Sequence, residues 1–223
     1  MLRHVRFVIV AAVAAMLLSA LVHPAAAQKG TFSLGGNFGT GMYSNNDIND
    51  VLALLDVEKI ESGWEYGGSL RYKVGPRVAL DLEFNRMVPK STTATPPEPD
   101  VILSTPGMAI PLSLYYAVSE NDRYRFNVFG GAGIVTSAEF RGEQSGAADV
   151  SLDARSGFYG HAALETEWLV SPQFSLSARA LGRMASAEIK GSDPNVDVTT
   201  LDIEYGGFAF GLGARVSFGG GGN

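Results

Sequence analysis

The stretch TFSLGGNFGTGMY, residues 31–43, puts Phe32, Leu34, Phe38 and Met42 on one parity and Thr31, Ser33 and Asn37 on the other. Successive side chains of an extended chain point to opposite faces, so this is a strand with one apolar and one polar face. Residues 64–74 repeat the split, with Trp64, Tyr66, Leu70, Tyr72 and Val74 alternating with Glu65, Ser69, Arg71 and Lys73. The same reading along the chain predicts eight strands, at 31–43, 64–74, 77–88, 101–119, 123–140, 157–170, 173–189 and 203–218. Most have about the ten residues that a tilted strand needs to cross a bilayer.

The connections fall into two classes. Short ones stand at Gly75-Pro76, Glu120-Asn121-Asp122 and Ser171-Pro172-Gln173, and long ones run over 44–62, 89–100, 141–156 and 190–202. Their alternation gives a structure with tight turns at one end and loops at the other, the asymmetry of an outer membrane barrel. Both termini then lie at the turn end. Aromatic residues on the apolar parity gather near strand ends, with Tyr72, Tyr124, Phe126, Trp168, Phe174 and Phe218 towards the turns and Trp64, Tyr66, Phe140 and Phe158 towards the loops. Two such belts around an aliphatic band match the two interfaces of a bilayer. A soluble barrel would need the other parity as its solvated surface, and the many Gly and Ala there do not suit that.

Residues 1–27 read as a secretory leader. Arg3 and Arg6 precede an apolar run from Phe7 to Val22, His23-Pro24 ends it, and Ala25-Ala26-Ala27 supplies the small residues of a cleavage site. The expected organisation is a cleaved signal peptide, 1–27, and one barrel domain, 28–223. The leader carries no acidic residue, so the remainder is more acidic than the net charge of −6 of the whole chain. No basic patch argues for nucleic acid. The chain has 0 Cys, which removes a disulfide framework and any thiolate metal site, and no cofactor is expected.

The last strand carries a family resemblance. Gly211-x-Gly213-x-x-Val216-x-Phe218 resembles the terminal assembly signal of the small eight-stranded outer membrane barrels, the OmpA-like and OmpX-like group, with Gly211 in place of a polar residue and a tail, 219–223, beyond the aromatic. The resemblance spans essentially everything after the leader. It implies an up-and-down antiparallel barrel, all-β, with short periplasmic turns and long extracellular loops, in the outer membrane of a Gram-negative bacterium. It also implies outer membrane lipids and the barrel assembly machinery as partners, a monomer, and Gly213, Val216 and Phe218 as the assembly signal.

With the apolar parity facing lipid, the other parity faces the lumen. That set holds the acids Glu65, Asp81, Glu83, Glu165 and Glu167, the bases Arg71, Lys73, Arg125, Arg179, Arg183 and Arg215, and His161. Eight strands enclose an interior just wide enough for side chains to fill, and charges buried there must be paired. The lumen therefore reads as a salt-bridged plug. Lumen residues sit on odd numbers in both strands of each hairpin, so tight loops should hold an odd number of residues. Loops at 171–173 and 75–77 set Glu165 opposite Arg179, His161 opposite Arg183, and Arg71 opposite Asp81.

Other chemistry fits poorly. Barrel enzymes acting on lipid A need a rim His with a Ser or acid partner, whereas His161 points inward and Ala163 stands where a nucleophile would. The carboxylates Asp81/Glu83 and Glu165/Glu167 are i, i+2 neighbours without a cleft for a sugar, and Gly130-Gly131-x-Gly133 lacks the strand-to-helix setting of a phosphate loop. No metal-ligand cluster stands out. In the first long loop, Asp47 can cap a short amphipathic helix presenting Ile48, Val51, Leu52 and Leu55, either as a lid over the lumen or as a reception point for a hydrophobic ligand. The stretch 89–105, rich in Thr and Pro, reads as an extended outer loop. The function expected is a non-catalytic structural and surface-interaction scaffold. The rival is transport, as a small porin or a hydrophobic-ligand conduit of the OmpW-like kind, and no extracellular partner or ligand is specified.

Protein recovered from outer membranes is expected to begin at Gln28. An intact mass that retains residues 1–27 would overturn the leader reading.

Overall fold

The computed structural model describes residues 31–54, 57–93, 101–144, 150–189 and 201–218. The leader at 1–27, Leu55 of the expected helix and the tail at 219–223 lie outside them. The described elements are β1 (Thr31–Tyr43), α1 (Asn46–Leu54), β2 (Ser62–Lys73), β3 (Val78–Thr93), β4 (Val101–Ser104), β5 (Gly107–Glu120), β6 (Tyr124–Thr136), β7 (Glu139–Gln144), β8 (Val150–Asp153), β9 (Gly157–Leu169), β10 (Phe174–Ile189), β11 (Leu201–Glu204) and β12 (Gly207–Phe218).

Eight of these strands close an antiparallel barrel in the order β1, β2, β3, β5, β6, β9, β10, β12 and back to β1. Closure leaves the wall without a free edge, which lipid demands because it offers no hydrogen-bonding partner. The even-numbered side chains of β1, β2 and β12 stand outside, with Leu212 70% exposed and Phe38 and Trp64 stacked with ring centroids 5.2 Å apart. Phe32 and Tyr72 meet at 4.6 Å nearer the turns. Exposure of this order on large apolar side chains is the signature of a surface solvated by lipid. Among the described residues no helix is long and apolar enough to cross a membrane; the chain crosses with strands.

Two tight turns hold three residues each, as parity requires. Val74 N–H donates to Val78 C=O at 3.0 Å and Val170 N–H to Phe174 C=O at 3.0 Å, closing 75–77 and 171–173. The third turn departs from expectation. Between β5 and β6 the register shifts from Ala117↔Asn127 to Ser119↔Phe126, so Val118 is bulged out and Glu120 pairs with Arg125. The turn then needs only two residues, Asp122 and Arg123, with the Asn121 carboxamide oxygen accepting from the N–H groups of Arg123 and Tyr124 at 2.8 and 2.9 Å. One bulge reverses parity locally, which is how an even-numbered residue, Glu120, comes to stand beside the odd-numbered Arg125.

The outer connections are more regular than expected. The stretch 89–105 is no simple loop: β3 runs on to Thr93, β4 pairs with it, β7 pairs with β4 and β8 with β7. The expected loop at 141–156 is thus a hairpin, and β10 likewise extends to pair with β11. A second correction concerns Phe140. Ser137 adopts φ 49° and Ala138 is buried, so the chain turns inward after β6 and Phe140 packs on an interior cluster rather than joining the outer belt. The β3–β5 pairing also skips the step where Glu83 and Phe84 would face Pro111 and Ile110, since Pro111 has no N–H to give.

The closing seam ends on the pair Phe32↔Phe218. Deleting residues 218–223 is expected to reduce the folded, heat-modifiable form in outer membrane fractions far more than deleting 219–223; equal losses would show that the terminal aromatic is not read.

Candidate functional site

Three layers fill the barrel. At the loop end lies an apolar cap in which Tyr43, Ile48, Leu52, Ile60, Met87, Tyr159, Ile203 and Tyr205 pack together, five of them with 2% or less of their surface exposed. Helix α1 supplies Ile48 and Leu52 on one face, while Val51 and Leu54 are exposed. The buried Asn49 is satisfied by the backbone of Ile60, accepting from its N–H at 2.8 Å and donating to its C=O at 3.3 Å. The cap of the helix differs from expectation. Glu204 of β11 accepts from both the backbone and the side chain of Asn46, at 3.2 and 3.0 Å, and Asp47 sits in the first turn. Near it, burial together with Asp47 and Glu188 pushes the Asp202 carboxyl above its ordinary range. Ionising Asp202 therefore opposes this packing, so the loop is held more tightly below that raised pKa and loses the contribution as pH rises through it.

The middle layer is charged. Arg183 pairs with Glu65 at 2.6 Å and donates through Nε to the Tyr205 carbonyl at 2.7 Å. Tyr43 donates to Glu65 at 2.8 Å, and Gly41 is without a side chain because a Cβ there would run into the Glu65 carboxylate. Deeper, Arg179 donates to Glu83 at 2.9 Å and to Asn37 at 2.9 Å, and Asn85 donates to Glu83 at 3.0 Å. Arg71 donates to Asp81 at 2.8 Å and Glu165 at 3.1 Å while its guanidinium lies 3.6 Å above the Tyr115 ring. Arg215 reaches Asp81 at 3.4 Å, and Arg125 bridges Glu167 at 3.0 Å to Glu120.

The sequence-derived registers hold: Arg179 faces Glu165, Arg183 faces His161 and Arg71 faces Asp81 on neighbouring strands. The side-chain partners are different. Glu165 is held by Arg71 and Asn127, and Arg179 reaches past it to Glu83 on the opposite wall. Long guanidinium side chains lean across the lumen, so backbone opposition does not decide the pair. His161 bonds Ser113 at 3.3 Å rather than Arg183, with Phe129 and Tyr159 edge-on to its ring. Ser113 also reaches Glu83 at 3.3 Å, a composition reminiscent of a hydrolase, but it has no exposed surface for a substrate to approach. Lys73 makes no ion pair among the described residues and stands at the turn end. Sequence reading missed the neutral partners Asn37, Asn85, Asn127, Ser113, Ser175, Tyr43 and Tyr115; all are odd-numbered, so the parity that found the charges points to them too. Glu120 was hidden by the Val118 bulge.

The third layer, at the turn end, is a cavity of about 630 Å³ floored by Arg71, Tyr115 and Arg215. The residues expected to form the assembly signal lie along β12. Gly213 faces Asn37 and Ser177, where a Cβ would come within 2.7 Å of Ser177 Oγ; Val216 faces Leu34 and Phe174, and Phe218 faces Phe32.

The family model of the outer membrane protein beta-barrel domain matches residues 10–221. Among solved structures, outer membrane protein AlkL, determined in DMPC bilayers, aligns with TM-score 0.51 and 15% identity over 91% of this chain and 96% of its own. Ail of Yersinia pestis aligns at 0.49 and 11% over 86% and 100%, and OprG of Pseudomonas aeruginosa at 0.46 and 13% over 85% and 96%. Likeness at these identities is one of fold. No curated protein matches the chain in sequence.

Replacing Arg179 by Ala is expected to strand Glu83, a loss on the order of 3–5 kcal/mol. The double variant Glu83→Leu/Arg179→Leu should recover much of it in detergent unfolding. An Arg179→Ala midpoint equal to that of the parent would mean that the pair is hydrated.

Proposed function

The chain belongs to the outer membrane protein beta-barrel domain family, and from that premise we propose that it is a non-catalytic scaffold whose closed barrel anchors outward loops at the cell surface. In this reading residues 1–27 direct export and are removed, the barrel assembly machinery inserts the remainder as a monomer, and outer membrane lipids solvate the apolar face.

The observation that carries the proposal is the double closure of the lumen. Over the described residues the outer mouth is filled by an apolar cap whose members Ile60, Met87, Ile203 and Tyr205 have no exposed surface, and beneath it opposite walls are tied by ion pairs. An ion moving through would have to displace both layers. The helix and the β-extended loops then act as a presented surface, and the partner they meet is unspecified.

The transport reading draws on one feature, the apolar character of the cap. A hydrophobic molecule that parted the cap would meet Ile48, Leu52 and Ile60 rather than charge, so α1 would serve it as a receiving element.

Planar-bilayer recordings of the intact protein, and of a variant lacking 47–60, separate the two. The scaffold predicts no steady conductance from either, because Arg71, Asp81, Glu165 and Arg179 lie deeper than the deleted segment, and no saturable uptake of a hydrophobic fluorescent probe. Stable open-channel currents from the intact protein, or probe binding lost on deletion, would replace it by the conduit.

A further inference from the structure

The two ends of the lumen differ in chemistry. The outer end is apolar and filled, whereas the turn-end cavity is lined by Arg71, Lys73, Arg77, Arg125 and Arg215 against the carboxylates Asp122 and Glu167. Glu167 is already engaged, accepting from Ser175 at 2.5 Å and pairing with Arg125 at 3.0 Å. Lys73 and Arg77 have no carboxylate within ion-pair reach among the described residues. At the floor, Arg71 Nη2 and Arg215 Nη1 are both buried without an acceptor. Asp81, Glu120, Glu165 and Glu167 neutralise Arg71, Arg125 and Arg215, so the positive charge of the wall that has no ion-pair partner among the described residues lies on Lys73 and Arg77, and the N–H donors left over at the floor, Arg71 Nη2 and Arg215 Nη1, outnumber the one unsatisfied acceptor there, Asp81 Oδ1.

These donors are also held in place. Arg71 is fixed by Asp81 and Glu165 on one side and by the face of Tyr115 on the other, and Arg215 by Asp81. With Nε and Nη1 of Arg71 anchored, its Nη2 stands at a set position, and a charged N–H donor fixed in this way makes a strong hydrogen bond to a phosphate oxygen. Little ordering remains to be done when such an anion arrives. Lys73 and Arg77, nearer the opening, add mobile charge that draws anions inward.

We propose that the turn-end cavity is a binding site for a small polyvalent oxyanion, phosphate or a phosphate monoester, with Arg71 and Arg215 as its fixed donors and Lys73 and Arg77 as its entrance. The site opens at the end that faces the periplasm in barrels of this architecture. It does not depend on whether the outer end conducts.

The test is a titration of the intact barrel in zwitterionic micelles at low ionic strength with inorganic phosphate, followed by ³¹P line broadening and by the shift of the unfolding midpoint. Glycerol 3-phosphate and chloride serve as comparison ligands. Saturable phosphate binding is expected, with glycerol 3-phosphate comparable and chloride at least tenfold weaker. Lys73→Gln/Arg77→Gln, which breaks no ion pair among the described residues, is expected to weaken phosphate about tenfold, and Arg215→Gln more. Arg141→Gln, at the loop end, should leave binding unchanged. Absence of saturation in the parent protein overturns the site, as does binding that survives Lys73→Gln/Arg77→Gln or falls equally with Arg141→Gln. Should Arg215→Gln fail to assemble, Lys73 and Arg77 still decide the matter.

Discussion

A guanidinium inside an eight-stranded barrel has almost no water to lean on, and the rest of this interior is arranged around that fact. The lumen of such a barrel is about as wide as the side chains that fill it, so a charge that finds no partner there is penalised by several kcal/mol. The bases accordingly reach across. Arg71 on β2 meets Glu165 on β9, and Arg179 on β10 meets Glu83 on β3. In the ring of eight each of these pairs is four strands apart, which is the full width of the barrel. Ion pairs of this span tie walls that backbone hydrogen bonds join only to their neighbours. They make the cross-section a single cooperative unit rather than a set of hairpins.

The outer face obeys the complementary requirement. Lipid accepts apolar side chains and rejects an unpaired backbone group, so every strand must close on its neighbours while showing aliphatic and aromatic residues outward. The two demands meet in the alternation of the strand, and any residue inserted between them exchanges inside for outside. At Val118 the chain takes advantage of this. The bulge moves Glu120 to the inner side, where Arg125 sits. At Ser137 and Ala138 a similar break turns Phe140 away from lipid and into the cap.

Alternation is therefore the part of the structure legible in the sequence, and its failures have physical causes. Parity named the outward residues of β1, β2 and β12 and the registers across the turns at 75–77 and 171–173. It assigned a face to each charged side chain without assigning a partner, because a guanidinium extends beyond the strand beside it; Arg179 with Glu83 in place of Glu165 is the clearest case. Parity also missed most of the outer hairpins, and it ran the 101–104 strand into β5 as one strand, 101–119, and the end of β11 into β12 as another, 203–218. Residues of β4, β7 and β8 stand above the bilayer and have no lipid to enforce alternation, so polar Thr and Ser in that region read as loop. The helix was visible through Ile48 and Leu52, but the residue that caps it, Glu204, comes from a strand 158 positions away in sequence.

The cap and the ion pairs also depend on each other. Coulombic attraction between Arg183 and Glu65 is weakened by every water that can approach it, and the cap is what keeps water away: Tyr43 donates to Glu65 and Tyr205 to the Pro106 carbonyl, and both rings are buried with that of Tyr159. Conversely, an apolar cap with nothing rigid beneath it would have a void to collapse into. Arg183 stops that collapse, with its Nε on the Tyr205 carbonyl and its guanidinium 4.7 Å over the Tyr43 ring. Among the described residues no equivalent cap covers the turn end, so there Lys73 and Arg77 stand at an open cavity above the paired Arg71, Arg125 and Arg215. The same residue types thus give a sealed mouth at one end and an open, charged cavity at the other, and the difference between the ends is whether tyrosines and aliphatic side chains stand over them.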